Sequence, residues 1–212
     1  MKTPTIVLIV MMSLFSNNLG QEYEYSGLDW NFDGSLYGFA QSNVLHIVSY
    51  PSGDDYYVEQ FDLPIVVLKW SPVSNKIAVV LPNGTVTIHD LEAQNQIVID
   101  YSTSSDLPFV ADIDWSADEI LAIAYSSSET WIERYDPATL GFLPFVLIPT
   151  IGDAPSVQWS PTGRRLAYSG SEGSGIYDFA SNSFIDIPEI HLYSLSWSPN
   201  QEFLASTTGL GW

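Results

Sequence analysis

Cysteine is missing from all 212 residues, so disulfides, thiolate metal sites and cysteine nucleophiles are excluded together. Positive charge is nearly missing too: 6 Lys and Arg stand against 25 Asp and Glu, for a formal net charge of −19. A polyanion would have to approach against that field, so nucleic acid is not an expected partner, whereas cationic surfaces are favoured. Histidine occurs only at His46, His89 and His191, each in an apolar or alternating context without metal-ligand spacing, and is read as structural. An apolar stripe at 3.6-residue spacing is also absent, which excludes helical repeats. The apolar run Ile6 to Phe15 falls short of the ~20 residues that span a bilayer as a helix. It follows Lys2 and precedes the polar stretch Ser16 to Gly20, the three-part layout of a secretory signal peptide. The expectation is removal of residues 1–20, export of residues 21–212 to the periplasm or the outside, a mature net charge of −20 once Lys2 is lost, and no remaining membrane span.

What the chain does have is 46% apolar and 14% aromatic residues, a composition suited to strands. Tryptophan carries the organisation. The frames Leu-Asp-Trp-Asn at Trp30, Leu-Lys-Trp-Ser-Pro at Trp70, Ile-Asp-Trp-Ser at Trp115, Val-Gln-Trp-Ser-Pro at Trp159 and Leu-Ser-Trp-Ser-Pro at Trp197 lie 40, 45, 44 and 38 residues apart. That is the repeat length of a four-stranded propeller blade. Each unit is a small sheet that cannot bury both faces alone and must stack on its neighbours. Units begin near residues 28, 67, 112, 156 and 194. Third strands end in a ring followed by Asp, at His89-Asp90, Tyr135-Asp136 and Tyr177-Asp178, and Tyr50-Pro51 takes that place in the first unit. Asn83-Gly84 predicts a hairpin in which both residues accept positive φ, and Asn83-Gly84-Thr85 also matches the N-glycosylation acceptor.

The run Trp159-Ser160-Pro161-Thr162-Gly163 with Leu166-Ala167 resembles the blade signature of WD-repeat propellers and of the bacterial propellers typified by the periplasmic protein of the Tol system. The resemblance spans residues 28 to 212. It departs from WD repeats in lacking a Gly-His pair before each anchor and in placing His89, Tyr135 and Tyr177 where the Trp of Trp-Asp would stand. It implies an all-β propeller of ~40-residue four-stranded blades and a binding platform, and it carries over no catalytic residue. Four complete blades and a partial fifth are expected, because only two strands follow Leu195. A strand around Glu22 to Tyr25 closing a five-bladed ring is the alternative to an open arc from a longer chain. The first part of a longer chain is the preferred expectation, since an open arc by itself would expose a sheet face and unpaired edges, which native sequences avoid.

No catalytic constellation emerges. Asp112, Asp114, Asp118 and Glu119 cluster around the third anchor, but without a calcium-loop pattern they read as a solvated acidic rim. The serine-rich stretches lack a Gly-x-Ser-x-Gly elbow and read as turns. No metal or cofactor is therefore expected. The leading expectation is a non-catalytic platform for a protein or peptide, a basic one being favoured by charge. Recognition is placed on the loop face that carries Asp106, Phe109, Glu129, Asp153 and Glu172, with Phe109 either an interface anchor or packed between blades. The alternatives are a propeller hydrolase or lyase using channel carboxylates, and a structural subunit completed by a partner.

Overall fold

The computed structural model describes residues 25–100, 109–126, 131–147, 156–170, 173–187 and 192–208. The expected signal segment, residues 1–20, lies outside them. Every element described is a strand, and no helix among the described residues is long and apolar enough to cross a membrane. The first sheet holds β1 (Tyr25–Trp30), β2 (Leu36–Gln41), β3 (Val44–Ser49) and β4 (Asp55–Gln60). The second holds β5 (Val67–Trp70), β6 (Lys76–Val80), β7 (Val86–Asp90) and β8 (Asn95–Ile99). The third holds β9 (Phe109–Trp115), β10 (Leu121–Ser126), β11 (Trp131–Asp136) and β12 (Gly141–Leu147). The fourth holds β13 (Ser156–Trp159), β14 (Arg165–Gly170), β15 (Gly173–Asp178) and β16 (Ser183–Ile187). A fifth sheet pairs β17 (Leu192–Trp197) with β18 (Leu204–Thr208). All pairings are antiparallel between strands consecutive in sequence. The first strands pack in the order β1, β5, β9, β13, β17, so the sheets succeed one another in a propeller-like arrangement.

The residue after each anchor Trp explains why the frame recurs. Asn31, Ser71, Ser116, Ser160 and Ser198 each donate a backbone N–H to the carbonyl that opens the second strand, at Leu36, Lys76, Ile120, Arg165 and Phe203. Their side-chain oxygens accept further backbone N–H groups of the same hairpin, from Leu36, Val73, Ile120, Arg165 and Phe203 in turn. Short polar side chains are the ones able to do this. Three residues on, the chain turns left-handed at Gly34, Glu119, Gly163 and Gln201. The Asp that ends the third strand does the equivalent job at the next turn. Asp90 accepts the N–H groups of Glu92 and Ala93, Asp136 that of Ala138, and Asp178 those of Ala180 and Ser181. Four residues after each comes a left-handed residue, at Gln94, Leu140 and Asn182.

Burial shows how the sheets stack. Middle strands β6, β7 and β14 are buried on both faces, whereas the outer strands β8 and β16 are mostly exposed at the rim. The face of each sheet that bears the anchor Trp packs on the preceding sheet: Trp70 with Leu36, Ala40, Leu45 and Ile47, Trp115 with Ala78, Val86 and Ile88, and Trp159 with Ala122, Ala124 and Ile132. The acceptor position is kept small. The residues paired with Asp29, Lys69, Asp114, Gln158 and Ser196 are Gly38, Ala78, Ala122, Ala167 and Ala205. A Cβ on Gly38 would come within 2.9 Å of the Trp70 indole nitrogen and 2.8 Å of Ile77 Cδ1, so the smallest residue stands where the approach is closest.

Three expectations change in the structure. Tyr25 pairs with Gln41 inside the first sheet, so it does not supply a closing strand to the fifth; residues 22–24 lie outside the described residues. Val48, not Tyr50, holds the register position of His89, Tyr135 and Tyr177, because it pairs with Tyr37 as they pair with Ile77, Leu121 and Leu166. Counting from the Trp missed this because Tyr50 lies beyond the strand end, against Pro51. In the Asn83-Gly84 hairpin only Gly84 takes positive φ, at 83°, while Asn83 Oδ1 accepts the Thr85 N–H at 3.1 Å. The Asn side chain completes the turn that a second left-handed residue would otherwise make.

Replacing Trp115 by Ala should cost ~3–5 kcal/mol, the range for deleting a buried large aromatic. Trp30→Ala should cost less than about half of that, since Trp30 is 37% exposed against 4% for Trp115 and sheds little water-excluded surface. Urea denaturation of the two variants checks this; equal losses would mean that the first anchor is buried like the others.

Candidate functional site

Of the five loop-face residues singled out from the sequence, Asp106, Glu129, Asp153 and Glu172 lie outside the described residues. Phe109 is not a loop residue: it opens β9 and pairs with Ser126. The ladder starts earlier than the serine-rich insertion suggested, with a register shift at Ala124/Tyr125 that takes up the extra length. Asn83, the glycosylation candidate, sits half-buried in its hairpin with its carbonyl oxygen engaged.

The functional groups that the fold does bring together lie on the first strands. Asp29, Lys69, Asp114 and Gln158 each stand immediately before an anchor Trp. Three of them reach forward to the next sheet. Asp29 Oδ2 accepts the Trp70 N–H at 2.8 Å, Asp114 Oδ2 that of Trp159 at 2.7 Å, and Gln158 Oε1 that of Trp197 at 2.9 Å. Lysine cannot accept, and at that junction the Trp115 indole instead donates to the Lys69 carbonyl at 3.1 Å. Asp112, two residues before Asp114, adds a second link through Oδ2 to the Ser156 hydroxyl at 2.9 Å and the Val157 N–H at 3.1 Å.

Burial raises the pKa of Asp29, Asp112 and Asp114, against the pull of their backbone donors and of the Lys69 charge. Asp114 is pushed up to about 7, with Asp112 adding to the rise. Such a carboxyl changes charge near neutrality, the property expected of a proton-transferring group. Its bonded oxygen, however, is held on a backbone N–H that fixes one sheet to the next. The solvated-rim reading is therefore corrected for Asp112 and Asp114, which the neighbouring sheet surrounds. Glu119 also departs from it: its carboxylate receives Lys76 Nζ at 3.0 and 2.9 Å and the Ser74 hydroxyl, bridging the second and third sheets. Burial would raise its pKa, but Ser74 and Lys76 hold it below the ordinary value. Asp118 alone of the four is exposed.

His89 makes a second inter-sheet link. Its Nδ1 lies 3.1 Å from Glu59 Oε2 on β4, and its Nε2 lies 3.1 Å from Thr87 Oγ1. A neutral ring protonated on Nδ1 satisfies both contacts, donating to Glu59 and accepting from Thr87. Burial lowers its pKa, opposed by the Glu59 charge. Carboxylate, imidazole and hydroxyl stand in sequence as in a nucleophile relay, but Thr87 is buried. His46 stacks on Phe39 with ring centroids 4.8 Å apart; His191 lies outside the described residues. Sequence spacing missed the Glu59–His89 pair because the two residues are on different sheets.

No protein-family model matches this chain, and no curated protein matches it.

Because the folded-state pKa of Asp114 lies above the ordinary Asp value of 3.8, the protonated form's contribution to stability is complete below that value. It is lost as pH rises through about 7, with a slope of up to ~1.4 kcal/mol per pH unit between the two pKa values. Asp114→Asn keeps an acceptor for the Trp159 N–H and does not ionise. Its stability relative to wild type should therefore rise between pH 4 and pH 7.5 in parallel denaturant titrations. A constant difference across that range would place the Asp114 pKa near its ordinary value.

Proposed function

We propose that this chain is an exported, WD-repeat-like β-propeller module, with four four-stranded blades and a two-stranded fifth among its described residues, that binds a basic protein or peptide without turnover. One observation carries the reading: among the described residues Arg164 and Arg165 are the exposed cations, whereas many more acidic residues are exposed. Lys76 is bound to Glu119, Arg165 to Asp178 at 2.9 Å, and Arg134 lies 4.5 Å from the centre of the Phe179 ring. Asp33, Asp54, Asp62, Glu92, Asp118 and Glu202 are exposed. The anionic surface steers cationic partners and repels acidic ones. The carboxylates of Asp29, Asp112 and Asp114 support the non-catalytic side of the reading, because each has an oxygen engaged in joining sheets. Asp106, Glu129, Asp153 and Glu172, the proposed recognition residues, carry charge of the same sign.

Photo-crosslinking from residues 62 and 118 in the producing organism, followed by stopped-flow measurement with the captured protein, tests the proposal. Association should slow severalfold as the Debye length shrinks from ~30 Å at 0.01 M salt to about 8 Å at physiological ionic strength. Charge reversal at Asp62 or Asp118 should slow it further. A rate indifferent to both changes would overturn charge-directed binding. A hydrolase or lyase activity lost in Asp114→Asn would put an enzyme in its place.

A further inference from the structure

The two terminal sheets each leave one face uncovered among the described residues, and the two faces are the matching halves of the junction that the molecule makes internally. On the first sheet, the residue two before the anchor is Leu28, 51% exposed, whereas its equivalents Leu68, Ile113, Val157 and Leu195 are 3, 0, 3 and 8% exposed. Trp30 is 37% exposed against 4, 4 and 6% for Trp70, Trp115 and Trp159. Tyr37 and Phe39 continue this face, with Trp30 and Tyr37 ring centroids 5.3 Å apart and Tyr37 and Phe39 stacked at 6.3 Å. Every later sheet lays this same row on the sheet before it. The first sheet has the row with nothing described beneath it.

The fifth sheet has the part of the opposite half that its two described strands supply; the third-strand residues that complete it in the other sheets, such as Ile88 and Ile132, have no described counterpart there. Ala205 pairs with Ser196 in the register of Gly38, Ala78, Ala122 and Ala167, the small positions on which the next anchor indole rests. Ser196 stands where Asp29, Asp114 and Gln158 reach forward to the next anchor's backbone N–H. Both Ser196 and Ala205 are exposed. The Trp30 N–H, meanwhile, bonds locally among the described residues, to Asp29 Oδ1 at 3.0 Å, whereas Trp70, Trp159 and Trp197 take their acceptors from the preceding sheet.

We propose that a second copy of this chain is the occupant: the Trp30 face of one molecule docks on the Ala205 face of another, repeating head to tail the contact between consecutive sheets. The argument is continuity with an interface that the molecule builds four times, in the same register and with the same large-on-small fit. The two faces differ and sit at opposite ends of the sheet series, so the contact is heterologous and extends beyond a dimer unless it closes into a ring. This inference is independent of the proposed basic partner. Net charge opposes it, so added salt should strengthen self-association while it weakens capture of a cationic protein.

Sedimentation velocity of the full exported chain over a range of concentrations tests the docking, with Trp30→Asp and Ala205→Arg as blocking variants. Wild type should form concentration-dependent oligomers that tighten about tenfold between physiological and ~0.5 M salt as repulsion is screened. Each variant alone should lose association by at least tenfold. An equimolar mixture of the two should form a 1:1 heterodimer and nothing larger, because one intact face remains on each partner and the outer faces are blocked. Both positions are exposed, so both variants should melt near wild type; if either does not, Trp30→Ala and Ala205→Leu take their place in the same mixing experiment. A wild type that stays monomeric at high salt, variants that associate like wild type, or a mixture that does not pair would overturn the proposal. A monomer that still captures a basic protein would leave the platform reading standing, whereas oligomers without such capture would leave only the self-docking.

Discussion

An indole laid on a small residue of the preceding sheet is the contact on which the rest of this structure depends. A four-stranded sheet of this size has two apolar faces and little else to cover them, so each unit gains stability only by stacking. Gly38, Ala78, Ala122 and Ala167 make room for the rings, and the row containing Leu68, Ile113, Val157 and Leu195 fills the space beside them. The hairpin after each Trp is then held by one short polar residue, Asn31 or a serine. That residue fixes where the second strand begins and hence where the small residue stands relative to the next ring.

Polar links complete the same junctions, and they account for much of the charge that composition alone leaves unplaced. Asp29, Asp112 and Asp114 lie against the next sheet because their oxygens accept backbone N–H groups that would otherwise be buried unpaired, a loss costlier than the desolvation of a carboxyl that can take up a proton. Glu119 and Lys76 join the second and third sheets as a charged pair, and Glu59 and His89 join the first and second as a carboxylate and a neutral ring. The chain thus uses Lys76 and several of its acids to hold sheets together, while Asp33, Asp54, Asp62, Glu92, Asp118 and Glu202 face solvent. The indole N–H groups of Trp70 and Trp159 are buried without an acceptor among the described residues, a departure from complete pairing at the two junctions whose forward acceptor is an aspartate.

The strand order, the repeat length, the hairpins after each Trp and the Asp-closed turns were all legible in the sequence, because each rests on contacts within a few residues. The period-2 pattern and the turn chemistry of Ser160-Pro161-Thr162-Gly163 or Asp90 act locally and leave a local mark. A charge of −19 with 6 basic residues likewise follows from the sequence alone.

Only the tertiary structure decided which equivalent residues are equal in practice. Trp30 and Trp115 share a frame but differ in burial, because the sheet that covers an anchor is contributed by the unit before it. Asp112 and Asp118 belong to one acidic cluster in sequence, yet one is clasped by Ser156 and Val157 and the other faces solvent. The direction in which each side chain leaves its strand, and what the neighbouring sheet offers it, are set by stacking across some 45 residues of chain, a distance over which local pattern carries no information.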